Sequence, residues 1–243
     1  MRTHLQVIVP LFNESDVLPE LISRLTAVLA LLSLNNMEST VLFVNDGSDD
    51  ASPVFLEKQA GDDLRFGYLF LSRNFGHQAA LSAGLDHADA DLIVILDADL
   101  QDPPELIPEM VRLWRTEKAD VVYGVRKNRK ENLFKRLCYA GFYRFFGWLT
   151  GLALPLDSGD FSLMTRRAYT TLREMPERVR FMRGLRHWMG FKQCPLPYDR
   201  PKRFAGDTKY SFYALTNWPQ MVWPVFPSLP FARPSFLPSF LVF

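Results

Sequence analysis

An α/β fold, with a mainly parallel sheet covered by helices on both faces, is what this sequence predicts. Three observations point to it. Over residues 1–125, short runs rich in Val, Ile and Leu alternate with longer segments whose apolar residues recur at helical spacing. The short runs are apolar throughout, as parallel strands buried on both faces are. Each run is followed by a polar cluster, and open sheets of this class bind ligands beyond the carboxyl ends of their strands.

The elements follow in order. Residues 5–10 are a strand. Ser15 or Asp16 is placed to cap a helix reaching about residue 34, with Val17, Leu18, Leu21, Ile22, Leu25, Val28 and Leu29 along one face. Residues 41–45 are the second strand. Ser52 caps a short helix that ends before Gly61. Residues 66–71 are the third strand, 76–88 a helix and 92–96 the fourth strand. Asp102 caps the next helix, with Pro103 at its first position, where the missing N–H costs nothing. Residues 120–125 are the fifth strand.

Four polar clusters then share one rim. Asn13-Glu14 follows the first strand, Asp46-Gly47-Ser48 the second, Arg73-Asn74 the third and Asp97-Ala98-Asp99 the fourth. Asp97, Asp99 and Gln101 fall at i, i+2 and i+4. In an extended turn their oxygens converge on one hard divalent cation, Mg²⁺ or Mn²⁺, which shares them with substrate phosphates. A lone D-x-D is more often a polar loop. Four clusters on one rim are much harder to obtain by accident.

Charge is divided unevenly. Residues 1–125 carry 8 Lys/Arg and 20 Asp/Glu, whereas residues 126–243 carry 20 and 7, so a net charge of +1 hides two opposed halves. The acidic half suits a metal, and the basic half suits phosphates or an anionic membrane surface. Nucleic-acid binding would explain the basic half but not the acidic rim. The lack of a G-x-G-x-x-G after the first strand argues against a dinucleotide-binding dehydrogenase. Two widely spaced cysteines, Cys138 and Cys194, predict neither a disulfide framework nor a zinc site and fit a reducing compartment. No signal peptide is expected, since residues 5–9 run straight into a strand.

Residues 126–150 form a basic, aromatic segment. Within it 132–150 is an amphipathic helix candidate with Asn132, Lys135, Arg136, Tyr139 and Tyr143 on one side and Phe134, Leu137, Phe145, Trp148 and Leu149 on the other. It is too charged to span a bilayer and suits the membrane interface. Residues 157–161, Asp157-Ser158-Gly159-Asp160-Phe161, read as a second acidic turn. Residues 166–209 hold twelve Lys/Arg against four Asp/Glu and end in a Gly-containing basic loop suited to closing over phosphates. From 215 to 243 six prolines preclude a long helix, so this tail is expected to be irregular and supplies no membrane span.

Taken together, Val9-Pro10-Leu11-Phe12-Asn13-Glu14, Val44-Asn45-Asp46-Gly47-Ser48, Ser72-Arg73-Asn74-Phe75-Gly76-His77 and Asp97-Ala98-Asp99-Leu100-Gln101-Asp102-Pro103-Pro104 resemble the family 2 glycosyltransferases. The likeness is strongest to the polyprenyl-phosphate branch, which includes dolichyl-phosphate mannosyltransferase and bacterial undecaprenyl-phosphate glucosyltransferases. It continues through Asp157-Ser158-Gly159-Asp160-Phe161 and Arg203-Phe204-Ala205-Gly206-Asp207-Thr208-Lys209-Tyr210 and covers about residues 5–212. The resemblance implies a GT-A, Rossmann-like nucleotide-sugar-binding domain over residues 1–212. It implies an inverting transfer of a hexose from a UDP- or GDP-linked donor to a polyprenyl phosphate at the cytoplasmic face of the membrane.

Residue by residue, the resemblance matches Pro10, Asn13 and Glu14 to the first nucleotide-contacting loop and Asp46 to the acid that contacts base or ribose. Asp97, Asp99 and Gln101 match the Mg²⁺ or Mn²⁺ and diphosphate site, and Arg203 the phosphate-gripping arginine. Ser48, Arg73, Arg126 and Lys209 join the candidate donor contacts. Asp99, Asp157, Asp160 and Arg203 are the candidate catalytic or orienting groups. Two rival readings are a family 2 transferase with a soluble glycan acceptor and a non-catalytic nucleotide-sugar binder. The family's bacterial members continue into transmembrane helices where this chain has a Pro-rich tail, 213–243, and a truncated or frame-shifted reading is the expectation for that departure.

Overall fold

The computed structural model describes residues 2–127, 158–177 and 180–201. Seven strands, β1 (Thr3–Leu11), β2 (Met37–Asn45), β3 (Phe66–Phe70), β4 (Leu92–Ile95), β5 (Val121–Lys127), β6 (Ser158–Thr165) and β7 (Gln193–Asp199), form one sheet in the order β3-β2-β1-β4-β6-β5-β7. Among the described residues the helices are α1 (Leu18–Leu34), α2 (Ser52–Asp62), α3 (His77–Asp86), α4 (Ile107–Glu117), α5 (Arg166–Glu174) and α6 (Met182–Trp188). A 3₁₀ turn, Pro104–Leu106, leads into α4.

Strands β1 to β4 run parallel, as their βα connections require. Strand β6 is antiparallel to both β4 and β5, and β7 is parallel to β5. The sheet is therefore mainly parallel with one reversed strand at its centre.

Side-chain alternation along the strands splits the core into two layers. Leu5, Val7 and Val9 of β1 face α1 and α4, together with Phe43, Val94, Phe161 and Leu163. Ile8, Val44, Ile93, Ile95 and Met164 face α3, α5 and α6 on the other side. Covering both faces is what the uniformly apolar strands predict.

Helix α3 lies very close to the sheet. A Cβ at Gly84 would sit 2.5 Å from Ile8 Cγ2 and 3.1 Å from Val44 Cγ2. Overpacking of this kind costs about 1–3 kcal/mol, against a helix-propensity gain of about 1 kcal/mol for alanine. Gly84→Ala is therefore expected to destabilise by about 1 kcal/mol and lower the melting temperature by about 2–4 °C. An unchanged or raised melting temperature would show that α3 can lift off β1.

Several local expectations are corrected. Neither Ser15 nor Asp16 caps α1. Its N-cap is Val17, Pro19 sits in the first turn, and the Glu14 carbonyl accepts from the Val17 and Leu18 amides at 3.0 and 3.1 Å. Ser52 is inside α2 rather than its cap, and α2 runs through Gly61 to Asp62; the Ser52 hydroxyl instead accepts the Glu14 amide at 3.2 Å. Asp102 does not cap the helix after it, and Pro103 lies one position before the 3₁₀ turn, in extended conformation. Residues 158–161 are not a turn but the start of β6, because Phe161 and Leu163 fill one core layer while Met164 fills the other.

The opposed charges of the two halves meet in the fold. Arg166 pairs with Asp89 at 2.8 Å, Arg180 with Asp86 at 3.0 Å, and Arg167 grips Asp120 through Nε and Nη2 at 2.5 Å each. Much of the basic excess on α5 and before α6 is thus spent on the acidic half. The segment 128–157, most of the interface candidate, lies outside the described residues, as do Arg203, Lys209 and the tail 213–243.

Candidate active site

The first three rim loops form one hydrogen-bonded assembly. Asn13 takes a left-handed conformation (φ 53°), which asparagine tolerates, and its amide donates to Ser48 Oγ at 2.8 Å. Asn13 and Asp49 bond reciprocally, Nδ2 to Oδ1 at 2.6 Å and the Asp49 amide to Asn13 Oδ1 at 3.0 Å. The Ser48 amide in turn donates to Asn45 Oδ1 at 3.0 Å. Pro10 is buried in β1, in register with Val44. Gly47 has φ 68°, and a Cβ there would lie 2.4 Å from the Arg73 carbonyl carbon, so only glycine lets the second and third loops touch.

Asp46 is buried at the end of β2. Its Oδ1 and Oδ2 accept the amides of Phe75 and Gly76 at 2.8 Å each. These bonds hold the turn that starts α3, where Gly76 has φ 97°. Asp46 thereby sets the position of His77. Arg73 is exposed, and its guanidinium lies over the Phe75 ring at 4.2 Å.

The second half of the rim is built by β4 and β6. Their antiparallel register pairs Ile95 with Ser162, and two more residues on the same register bring Asp97 opposite Asp160. Like charges facing each other across strands repel. His77 resolves the conflict: its Nε2 lies 3.6 Å from Asp97 Oδ1 and 3.4 Å from Asp160 Oδ2. Gln78 Nε2 donates to Asp160 Oδ2 at 3.3 Å, and Arg183 Nε lies 3.3 Å from Asp160 Oδ1. Gln78 also accepts the Met182 amide at 2.9 Å, which ties α3 to α6. The buried Arg186 donates to the Gly159 carbonyl at 3.2 Å and lies over the Tyr123 ring.

These contacts set the ionisation of the cluster. Burial alone would raise the Asp160 carboxyl, but the His77 hydrogen bond and the Arg183, His77 and Arg186 charges outweigh it and hold Asp160 well below the usual carboxylate range. Burial would lower His77, yet Asp160 and Asp97 raise it to about 9. Asp97 is pushed up to about 6, first by burial and then by Asp160, Asp102 and Asp99, with His77 opposing.

Asp99 stands further out and accepts the Gln101 amide on Oδ1 at 3.0 Å, while Leu100 turns the chain with φ 57°. Asp97 Oδ1 is buried and accepts no hydrogen bond. Among the described residues no group of three His, Cys, Asp or Glu side chains is arranged to hold a metal ion by itself. A divalent cation here needs substrate oxygens and the Gln101 amide oxygen to complete its shell. Mg²⁺ and Mn²⁺ sites of that kind use one or two carboxylates plus phosphates, so the residues present fit the group.

Sequence reasoning left five side chains unassigned. His77, Gln78, Arg183, Arg186 and Arg200 all reach the acidic rim or support it. His77 had a signal, since it opens the helix after the third strand and so sits on the same rim as the four clusters. The arginines had none, because their segment reads only as a basic run. Asp157, Arg203 and Lys209 lie outside the described residues, and Arg126, next to last in β5, has its Nη2 near Gly159.

Comparison with known proteins gives the family and the fold. The family model described as Glycosyl transferase family 2 matches residues 6–173. A Bacillus subtilis glycosyltransferase, YkcC, is 45% identical over 213 residues, covering 86% of this chain and 65% of its own. A protein of Escherichia coli named prophage bactoprenol glucosyl transferase homolog is 36% identical over 214 residues, covering 88% of this chain and 69% of its own. The chain thus spans about two-thirds of the length of these relatives. Among solved structures, a mannosyltransferase from Pyrobaculum calidifontis in complex with GDP-Man and Mn²⁺ superposes with a TM-score of 0.56 at 20% identity, covering 84% of this chain and 59% of that one. Glucosyl-3-phosphoglycerate synthase from Mycobacterium tuberculosis, in complex with Mn²⁺, UDP-Glc and phosphoglyceric acid, gives 0.59 at 17% identity over 94% of this chain and 81% of that one. The fold is GT-A, and the chain belongs to glycosyltransferase family 2.

Proposed function

We propose that this protein transfers a hexose from a UDP- or GDP-linked donor to a polyprenyl phosphate at a membrane surface, with inversion at the anomeric carbon. The observation that carries the reading is the β4/β6 rim, where Asp97, Asp99 and Asp160 share one edge with guanidinium groups: Arg200 reaches Asp99, Arg183 reaches Asp160 and Arg126 lies against Gly159. Carboxylates hold a diphosphate only through a cation, and guanidinium groups suit phosphate oxygens. Relatives named for bactoprenol support a polyprenyl acceptor. Solved neighbours bound to GDP-Man or UDP-Glc with Mn²⁺ support the donor class and the metal. The basic, aromatic composition of residues 126–150 supports the membrane surface. Among the described residues no helix is long and apolar enough to cross a membrane.

Asp97, Asp99 and Gln101 would hold Mg²⁺ or Mn²⁺, which supplies charge neutralisation for the departing diphosphate. The protein's own groups do the rest. Pro10, Asn13, Glu14, Asp46, Ser48 and Arg73 form the nucleotide side of the rim. The acceptor phosphate oxygen attacks the anomeric carbon opposite the diphosphate. The anomeric C–O bond breaks, and its electron pair leaves with the nucleoside diphosphate. Arg126, Arg203 and Lys209 are assigned to phosphates, and Asp157 to an orienting role.

The state of Asp160 favours an ionised acceptor. An alcohol needs a base to take its proton, and a carboxylate held far below the usual range takes protons poorly. A lipid phosphate is already anionic and needs only to be placed. The test is a panel of UDP- and GDP-hexoses against undecaprenyl and dolichyl phosphate, with Mn²⁺, Mg²⁺ or chelator. Metal-dependent transfer to a lipid phosphate is expected; transfer only to a free sugar or glycan would overturn the reading.

A further inference from the structure

Asp102 is fully buried, at 0% exposure, whereas Asp97 and Asp99 of the same turn reach the rim. A carboxylate so enclosed is not offered to a substrate. It accepts the Tyr198 hydroxyl on Oδ1, and Arg200 Nε lies 3.7 Å from the same oxygen. Arg200 Nη2 also reaches to 4.0 Å from Asp99 Oδ2, so one guanidinium spans two acids of the turn.

The Tyr198 ring is fixed as well. It meets Phe161 of β6 edge-on, with centroids 6.0 Å apart. It also fills the space that Gly124 of β5 leaves open, where a Cβ would lie 2.8 Å from Tyr198 Cε1. Its ring is therefore clamped by β5 and β6 while its hydroxyl holds the turn after β4. Residue 198 is next to last in β7, and the basic segment follows directly.

We infer that Asp102, Tyr198 and Arg200 form a positioning unit that ties the exit of β7 to the Asp97–Ala98–Asp99 turn, setting the geometry of transfer rather than donor affinity. The catalytic half of this statement rests on the proposed function; the mechanical half rests on the contacts alone. Neither Tyr198 nor Asp102 touches substrate in this scheme. They act through the two segments they join.

The test uses the full chain. Tyr198→Phe removes the hydroxyl and keeps the ring. It is expected to lower kcat for transfer by about tenfold to a hundredfold, the scale on which small misplacements act. Binding of the nucleoside diphosphate with Mn²⁺, read by calorimetry, stays within about twofold. Asp102→Asn, which keeps an oxygen for the Tyr198 hydroxyl, retains most of the wild-type rate. Amide hydrogen exchange in Tyr198→Phe quickens by about tenfold at residues 97–103 and 193–199 and is unchanged in β1 and β2. A wild-type rate in Tyr198→Phe overturns the inference. So does a loss of donor affinity in step with exchange rising across the whole sheet, which marks a merely structural role. If the wild type transfers to no polyprenyl phosphate, the proposed function falls; the exchange comparison still decides the unit, since unchanged exchange at 97–103 overturns it.

Discussion

Asp99→Asn is expected to lower kcat for metal-dependent transfer by about a thousandfold, the upper range for losing one preorganised charge at a departing group. The thermal stability should stay close to wild type. The reason lies in the local geometry. Asp99 Oδ1 accepts the Gln101 amide, and asparagine keeps that bond. What is lost is the negative charge on Oδ2, 4.0 Å from Arg200 and facing the rim. Activity against Mn²⁺ concentration, measured beside a thermal melt, separates the outcomes. Retained turnover with an unchanged metal requirement would take Asp99 out of the metal site.

Asp160→Ala is expected to have the larger effect on stability, about 3–5 kcal/mol, because removing one member of a buried charge cluster strands the others. His77, Gln78 and Arg183 would all lose the oxygen they face, and the buried Arg186 its nearest counter-charge. The pH dependence has a definite sign. The folded-state carboxyl of Asp160 is held well below its unfolded value of about 3.9. Its stabilisation is therefore fully present above about pH 4 and is lost as the pH falls towards the folded value. The gap in unfolding free energy between wild type and Asp160→Asn should be largest near pH 5, where His77 is protonated in folded and unfolded chains alike, and should shrink below about pH 4. Denaturant melts at a series of pH values would show this; a gap that goes on widening below pH 4 would mean Asp160 is not held ionised.

Much of the first half of the fold is legible in the sequence, for a physical reason. Strand β4 and the second half of β1 are buried on both faces and so are written as apolar runs; β2 and the edge strand β3 are partly exposed yet keep an apolar stretch, and each of the four is followed by polar residues where it meets the rim. The reversed strand β6 was not legible. It opens with Ser158-Gly159-Asp160, a composition that turns favour, and only the sheet makes it a strand. Strand β7 carries Pro195 and Pro197, which argue against a strand in a sequence. It lies at the edge of the sheet, paired with β5 alone, where missing N–H groups are tolerated. The cap assignments failed at Ser15, Asp16, Ser52 and Asp102 because long-range contacts outcompete local ones. Ser52 serves the Glu14 amide and Asp102 serves Tyr198, neither visible in a local window. The acidic half of the site was legible, since D-x-D ends an apolar run. Its cationic counterpart was not, because His77 and the arginines approach from other faces of the fold.

The reversal of β6 has a consequence for how such a protein can change. Asp97 and Asp160 face each other because neighbouring strands run side by side at a fixed spacing of about 4.8 Å, and their register is locked by the Ile95–Ser162 pairing beneath them. The gap between the two carboxylates is gauged by the sheet itself. The opposite half of the rim is different: Asn13, Ser48 and Asp49 are held by loop-to-loop hydrogen bonds, and Arg73 by the close approach of its backbone to Gly47, none of which a strand register dictates. One half behaves as a ruler and the other as a wardrobe. Under the proposed function, exchanging loops on the β1–β3 side would let nucleotide preference drift, while the spacing across the β4/β6 rim stays where the strands put it.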